Sequence, residues 1–342
     1  MKIEIVDRLK LFSHSPGHIM MIPGTRISVR AFPSALIFID EQGAQTEFLL
    51  GLKGPVDPFT VEQDLERREV RVYGDSAQGY FRLAIGVQDL SLVLRFEKTP
   101  LLGISLGDKT FFSGEVLEIM KDVFVFKEEV QERLFLGSSK QKESDLIRRR
   151  KDLREVFPLW HLLGSITPNV DNLSFSLLEE AIQKKDKKTV YDLFFHAYLA
   201  HFSPGLVPRA EDEEKQGLVS LGAFSRCLLP KGSSYIRSLF FQEKEDGFHI
   251  LPCLLPLFVC GKMIRIKSDS GCLLDIEWTK HRLRRMHIAV KKDQILKLHF
   301  PSDVESFRIK TSLKDRGKIF PGKGSVVSVK AGDLLLFDLF QK

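Results

Sequence analysis

Alternation of apolar and polar residues with a period of two dominates the first third of the chain. In RISVRAFPSALIFID, Ile27, Val29 and Ala31 and then Leu36 and Phe38 fall on one face. REVRVYG and YFRLAIG repeat the pattern, and SLVLRFE follows after a short polar break. Successive side chains of a strand point to opposite faces, so this spacing buries one face of a sheet and leaves the other in water. The turn signals DEQG, GDSAQG and GVQD recur about every ten to fifteen residues, the rhythm of a β-sandwich rather than of βαβ units. Residues 1–114 are therefore expected to form an N-terminal β-sandwich.

The pattern changes twice after that. Between about Glu115 and Gln216, Leu146, Leu153, Val156, Phe157, Trp160 and Leu163 have near-helical spacing, with Pro158 bending or interrupting any continuous helix. Ser176 and Glu179 fit a capping box before LLEEAIQKK, and Asp186 fits the cap of a second helix through VYDLFFHAYLAHF. Two helices joined by KKDKK make an αα-hairpin. From residue 217 to residue 342 the alternation returns in LLDIEW, MHIAV, ILKLHF, SFRIK, SVVSV and DLLLFDLF. The expected fold is mainly β with a helical middle: two β-sandwich domains, 1–114 and 217–342, joined by a short α-helical segment, 115–216.

A chain of 342 residues exceeds what one typical core supports, which agrees with several domains. The longest apolar run, Ile250 to Cys260, contains Pro252 and Pro256 and is about half the length of a membrane span. MKIEIVDRLK has neither the basic nor the apolar region of an export signal. Cys227, Cys253, Cys260 and Cys272 match no zinc spacing and sit among aliphatic residues, as reduced core thiols do. Together these features predict a cytoplasmic protein.

One stretch resembles a known family. SLFFQEKEDGFHILPCLLPLFVCGKMIRIKSDSGCLLDIEWTKHRLRRMHIAV is similar to the barrel-to-sandwich junction of clan-L glycoside hydrolases, the bacterial-type group with inverting α-fucosidases and maltose phosphorylases. His249, Leu251, Pro252, Leu255, Pro256, Gly271, Asp275, Glu277, Trp278 and Leu283 fall in matching order. VSVKAGDLLLFDL looks like the closing strands of the same domain. The six-hairpin barrel that carries that family's catalytic acid needs at least roughly 250 residues, and only about a hundred separate the two β segments. No catalytic residue carries over. The resemblance implies a reduced relative, probed best as a carbohydrate-recognition or assembly protein rather than a hydrolase.

Residue chemistry adds few candidates. Glycoside cleavage uses two carboxylates, and Glu179 and Asp171 are the acids of the helical segment nearest to aromatic residues. Trp160 and Trp278 offer flat apolar faces that suit a sugar ring, although core burial is the commoner fate of such residues. His14 and His18 are separated by Pro16 and Gly17, and His196 and His201 diverge on a helix, so no metal site and no cofactor are expected.

The charge is uneven. Lys and Arg exceed Asp and Glu by 51 to 45, and the stretch from Lys262 to Lys292 alone, with nine basic and three acidic residues, accounts for the whole excess of six. The clusters at 147–154 and 280–292 make an interaction module for nucleic acid or another anionic partner the alternative reading. Within 271–290, Leu274, Ile276 and Trp278 alternate before TKHR, and Met286, Ile288 and Val290 after it. That places TKHR at a hairpin turn with Arg285 and His287 on its solvent face.

Overall fold

The structure is a computed structural model and describes residues 3–5, 10–123, 131–136, 142–143, 146, 149–168, 176–202, 205–208, 228–312 and 314–341. The chain is mostly β, with several antiparallel sheets and a helical middle, as the alternation predicts. No helix among the described residues is long and apolar enough to cross a membrane.

The chain divides into two compact units. The first comprises 1–128, 139–173 and 195–231. Its largest sheet has eight strands, in the order 116–120, 91–98, 79–88, 69–76, 59–64, 10–13, 3–5 and 142–143, with every neighbouring pair antiparallel. A four-stranded sheet of 19–21, 28–32, 35–39 and 45–49 accompanies it, and the Gln63 amide donates to the Met21 carbonyl at 2.8 Å to tie the two together. Val29, Ala31, Leu36 and Phe38, the predicted inner face, are all buried.

Helix α1, Val156–Ser165, belongs to this unit. Pro158 lies in its first turn, where a backbone N–H has no helical partner to lose, so the proline starts a helix instead of breaking one. Its buried side chains include Phe157, Trp160 and Leu163.

The second unit comprises 129–138, 174–194 and 232–342. A seven-stranded antiparallel sheet runs 133–135, 260–267, 272–279, 282–290, 334–341, 306–310 and 318–321. A four-stranded sheet runs 241–244, 247–250, 294–299 and 325–329, and its central pair is parallel. Helix α2, Ser176–Gln183, lies wholly in this unit; α3, Lys187–His201, and α4, Leu228–Phe240, each have residues in both. Asp186 caps α3 as expected, accepting from the Thr189 N–H at 3.2 Å and its hydroxyl at 2.7 Å.

The compact units do not follow the sequence order 1–114, 115–216, 217–342. Residues 133–135 pair with 262–264 as an edge strand of the second unit, while 142–143 pair with the strand 3–5 of the first. Glu132 shows why the first of these crossings holds. Its carboxylate accepts from Arg237 Nε at 2.8 Å and from the Lys267 N–H at 3.0 Å, a charge-assisted clamp.

The hairpin 272–290 forms in the predicted register. Thr279 faces Arg282, and Lys280 and His281 between them both have positive φ, +54° and +60°, as a type I′ turn requires. Leu274, Ile276, Trp278, Met286, Ile288 and Val290 are buried, and Arg285 and His287 are exposed.

Candidate functional site

A groove of about 730 Å³ opens in the second unit. Lys185 enters it from the α2–α3 connection and Lys187 from the start of α3, His249 and His299 from two neighbouring strands, and His281 from the turn between 272–279 and 282–290. Leu251, Pro252, Phe300 and Pro301 supply apolar surface, and Asp303 a carboxylate.

Lys185 and His281 are placed by local structure. Lys185 has φ +56°, the left-handed conformation that closes α2 before Asp186 starts α3. His281 is the second residue of the type I′ turn, and its Nε2 donates to the Pro256 carbonyl at 2.8 Å. Two adjacent non-glycine residues with positive φ are costly, and strain of this kind concentrates at binding sites. The Cys253 thiol lies near Lys185 and Lys187, but burial is the larger influence and pushes it above the usual thiol range. It is therefore a packed, unreactive sulfur.

At one end of the groove the side chains of Asp246, His249 and His299 converge, with one ligand atom of each within 4.8 Å of the others. Asp246 sits in the turn between strands 241–244 and 247–250. His249 and His299 are register partners across the parallel pair. Their rings stack at 4.4 Å between centroids and 11° between planes. His249 Nε2 donates to the Asp246 carboxylate at 2.8 Å, and His299 Nε2 donates to the Asp246 backbone carbonyl at 2.9 Å. The bond from His249 chiefly, with the charges of both imidazoles, holds the Asp246 carboxyl below the usual carboxylate range. Two imidazoles and an ionised carboxylate are a donor set suited to late first-row divalent metals.

No protein-family model and no curated protein matches the chain. The likeness to clan-L glycoside hydrolases rests on the quoted residues alone.

The residues singled out in the sequence lie elsewhere. Trp160 is fully buried, donating from Nε1 to the Leu229 carbonyl at 3.3 Å and packing edge-on against Phe202. Trp278 is also fully buried, with Nε1 donating to the Phe258 carbonyl at 3.0 Å and its ring stacked on Phe240. Neither presents a face to a sugar, which corrects the expectation that they form a carbohydrate platform. Both stretches are apolar enough to bury a whole indole, and each N–H finds a carbonyl inside.

Glu179, on α2, accepts a hydrogen bond from the Tyr235 hydroxyl at 2.5 Å and does not line the groove. Asp171 lies outside the described residues. The basic clusters remain largely on the surface. Arg149 and Arg150 are exposed, and Arg154 is tied to Asp152 by a bidentate pair at 2.9 and 2.8 Å; Ile147 and Arg148 are outside the described residues. Of residues 280–292 only His281 reaches the groove.

His299 was missed in the sequence. It stands in the regular strand ILKLHF, and only a parallel pairing over fifty residues brings it beside His249. The signal that could have found the site is the turn EDGFH, which sets Asp246 three residues before His249.

Proposed function

We propose that the chain is a binding module whose ligand is a small anionic molecule, a sugar phosphate or sugar acid, held in the groove of the second unit. The observation that carries this reading is the convergence of Lys185, Lys187, His249, His281 and His299 on one groove, against the carboxylates of Asp303 on its lining and Asp246 at its end. Lysine ammonium groups are natural partners of phosphate and carboxylate. Phe300 and Pro252 provide apolar surface for the C–H face of a pyranose.

This reading keeps the carbohydrate expectation that comes with the clan-L resemblance, but moves the site away from Trp160 and Trp278. It also keeps the anionic partner of the alternative reading, moved from the exposed clusters to a concave surface. Recognition rather than cleavage is supported by Glu179, whose carboxylate is engaged by Tyr235 outside the groove.

Calorimetric titration with glucose 6-phosphate, glucuronate and glucose tests the proposal. The two anionic sugars are expected to bind at least about tenfold more tightly than glucose, with affinity falling as salt rises. A Lys185→Gln, Lys187→Gln double variant is expected to lose most of that preference. Equal affinity for glucose, or no binding of any of the three, overturns it.

A further inference from the structure

We infer that Asp246, His249 and His299 form a binding site for one late first-row divalent metal ion, with zinc as the reference ion. The inference goes beyond the ligand reading above and stands without it.

The geometry is set by the backbone. Gly247, at φ +127°, follows Asp246 in the hairpin turn, and a Cβ there would overlap the Lys297 carbonyl. The turn thus packs directly on strand 294–299, and the parallel register puts His299 beside His249. Both imidazole Nε2 atoms are aimed at the same residue, one at the carboxylate and one at the backbone carbonyl of Asp246. His299 Nε2 is also 3.7 Å from the second carboxylate oxygen. The two nitrogens thus come together around one residue, whose carboxylate lies within 4 Å of each.

Zinc bonds to nitrogen and oxygen are about 2.0–2.1 Å, so ligand atoms around a tetrahedral ion stand roughly 3.3 Å apart. The separations here, from 2.8 Å to at most 4.8 Å, bracket that value. The nearly parallel rings must each turn about χ2 to bring both lone pairs onto one ion, and that torsion is broad and soft in histidine. Metal binding also needs the Nε2 lone pairs, so each ring must give up its Nε2 proton and keep one on Nδ1. The Asp246 side chain is 59% exposed and that of His299 38%, which leaves a coordination position facing solvent and the groove.

The donor set decides the class of ion. Two imidazoles with one carboxylate favour zinc, cobalt, nickel or copper over magnesium and calcium, which take oxygen ligands.

Chelator-treated full-length protein, carrying no polyhistidine tag, is titrated with zinc against a chromophoric chelator, and with cobalt followed by its visible absorption. One equivalent is expected to bind, with no sugar or phosphate present. His249→Ala and His299→Ala should each weaken binding by at least roughly tenfold, and His287→Ala, outside the cluster, should leave it unchanged. Asp246→Asn, at an exposed turn, provides a second variant should either alanine protein fail to fold, and it should also weaken binding. Wild-type affinity no tighter than that of a His249→Ala, His299→Ala double variant, or equal loss in His287→Ala, overturns the inference.

Discussion

His249 and His299 are register partners on parallel strands, and their imidazole rings stack 4.4 Å apart. Everything proposed for the groove depends on that pairing, which joins one side of a tight hairpin to a strand fifty residues later. The hinge of the arrangement is Gly247, whose positive φ and contact with the Lys297 backbone leave no room for a side chain.

Gly247→Ala is therefore expected to push the hairpin off strand 294–299. The cost of overpacking a backbone contact at positive φ is about 1–3 kcal/mol. Urea unfolding measures it, and binding of glucose 6-phosphate and of zinc should both weaken in the same variant.

Strain and function should trade against each other in the turn Lys280–His281. Left-handed non-glycine residues cost about 1–2 kcal/mol each, and Asn-Gly is the sequence such a turn prefers. A Lys280→Asn, His281→Gly double variant loses the His281 bond to the Pro256 carbonyl, a net term of about 1 kcal/mol. It should still be more stable than the natural chain by ~1 kcal/mol in chemical unfolding, and it should bind the anionic sugars less tightly.

Much of the fold was legible because it is written in local periodicity. The alternation through Leu274, Ile276 and Trp278, the turn at Lys280–His281 and the helix cap at Asp186 are short-range features, and each is in place. What local pattern does not encode is which strands meet. Residues 133–135 join the sheet of the second unit through Glu132, whose partners Arg237 and Lys267 are more than a hundred residues away. His299 reaches the site by the same kind of long-range pairing. The tryptophans illustrate the converse: their apolar surroundings were visible, but buried carbonyl partners for their N–H groups, Leu229 and Phe258, come only with the tertiary structure.

His18 gives the first unit a pH dependence. It is buried beside Ser13, whose hydroxyl pairs with its Nδ1, and burial lowers its pKa below the ordinary 6.5. The unfolded chain takes up the proton more readily, so this contribution is complete above about pH 6.5 and is lost as the pH falls through the lower folded value. Thermal melting between about pH 7.5 and pH 5.5 should show a steeper loss for the natural chain than for His18→Gln.

Trp278 should act on stability alone. Replacing this fully buried side chain by alanine is expected to cost about 3–5 kcal/mol. Trp278→Phe leaves the Phe258 carbonyl without its indole donor and is expected to cost about 1–3 kcal/mol. Urea midpoints give both values, and the folded phenylalanine variant should bind glucuronate as the natural chain does.

A ligand held in the groove of the second unit must perturb the histidines that line it. Histidine side-chain signals in a two-dimensional nitrogen–proton spectrum, followed during titration with glucose 6-phosphate, test it most directly. His249, His281 and His299 are expected to shift together and saturate, while His14 and His196 stay in place. Shifts confined to histidines outside the groove, such as His287, or no saturating shift at all, would contradict it.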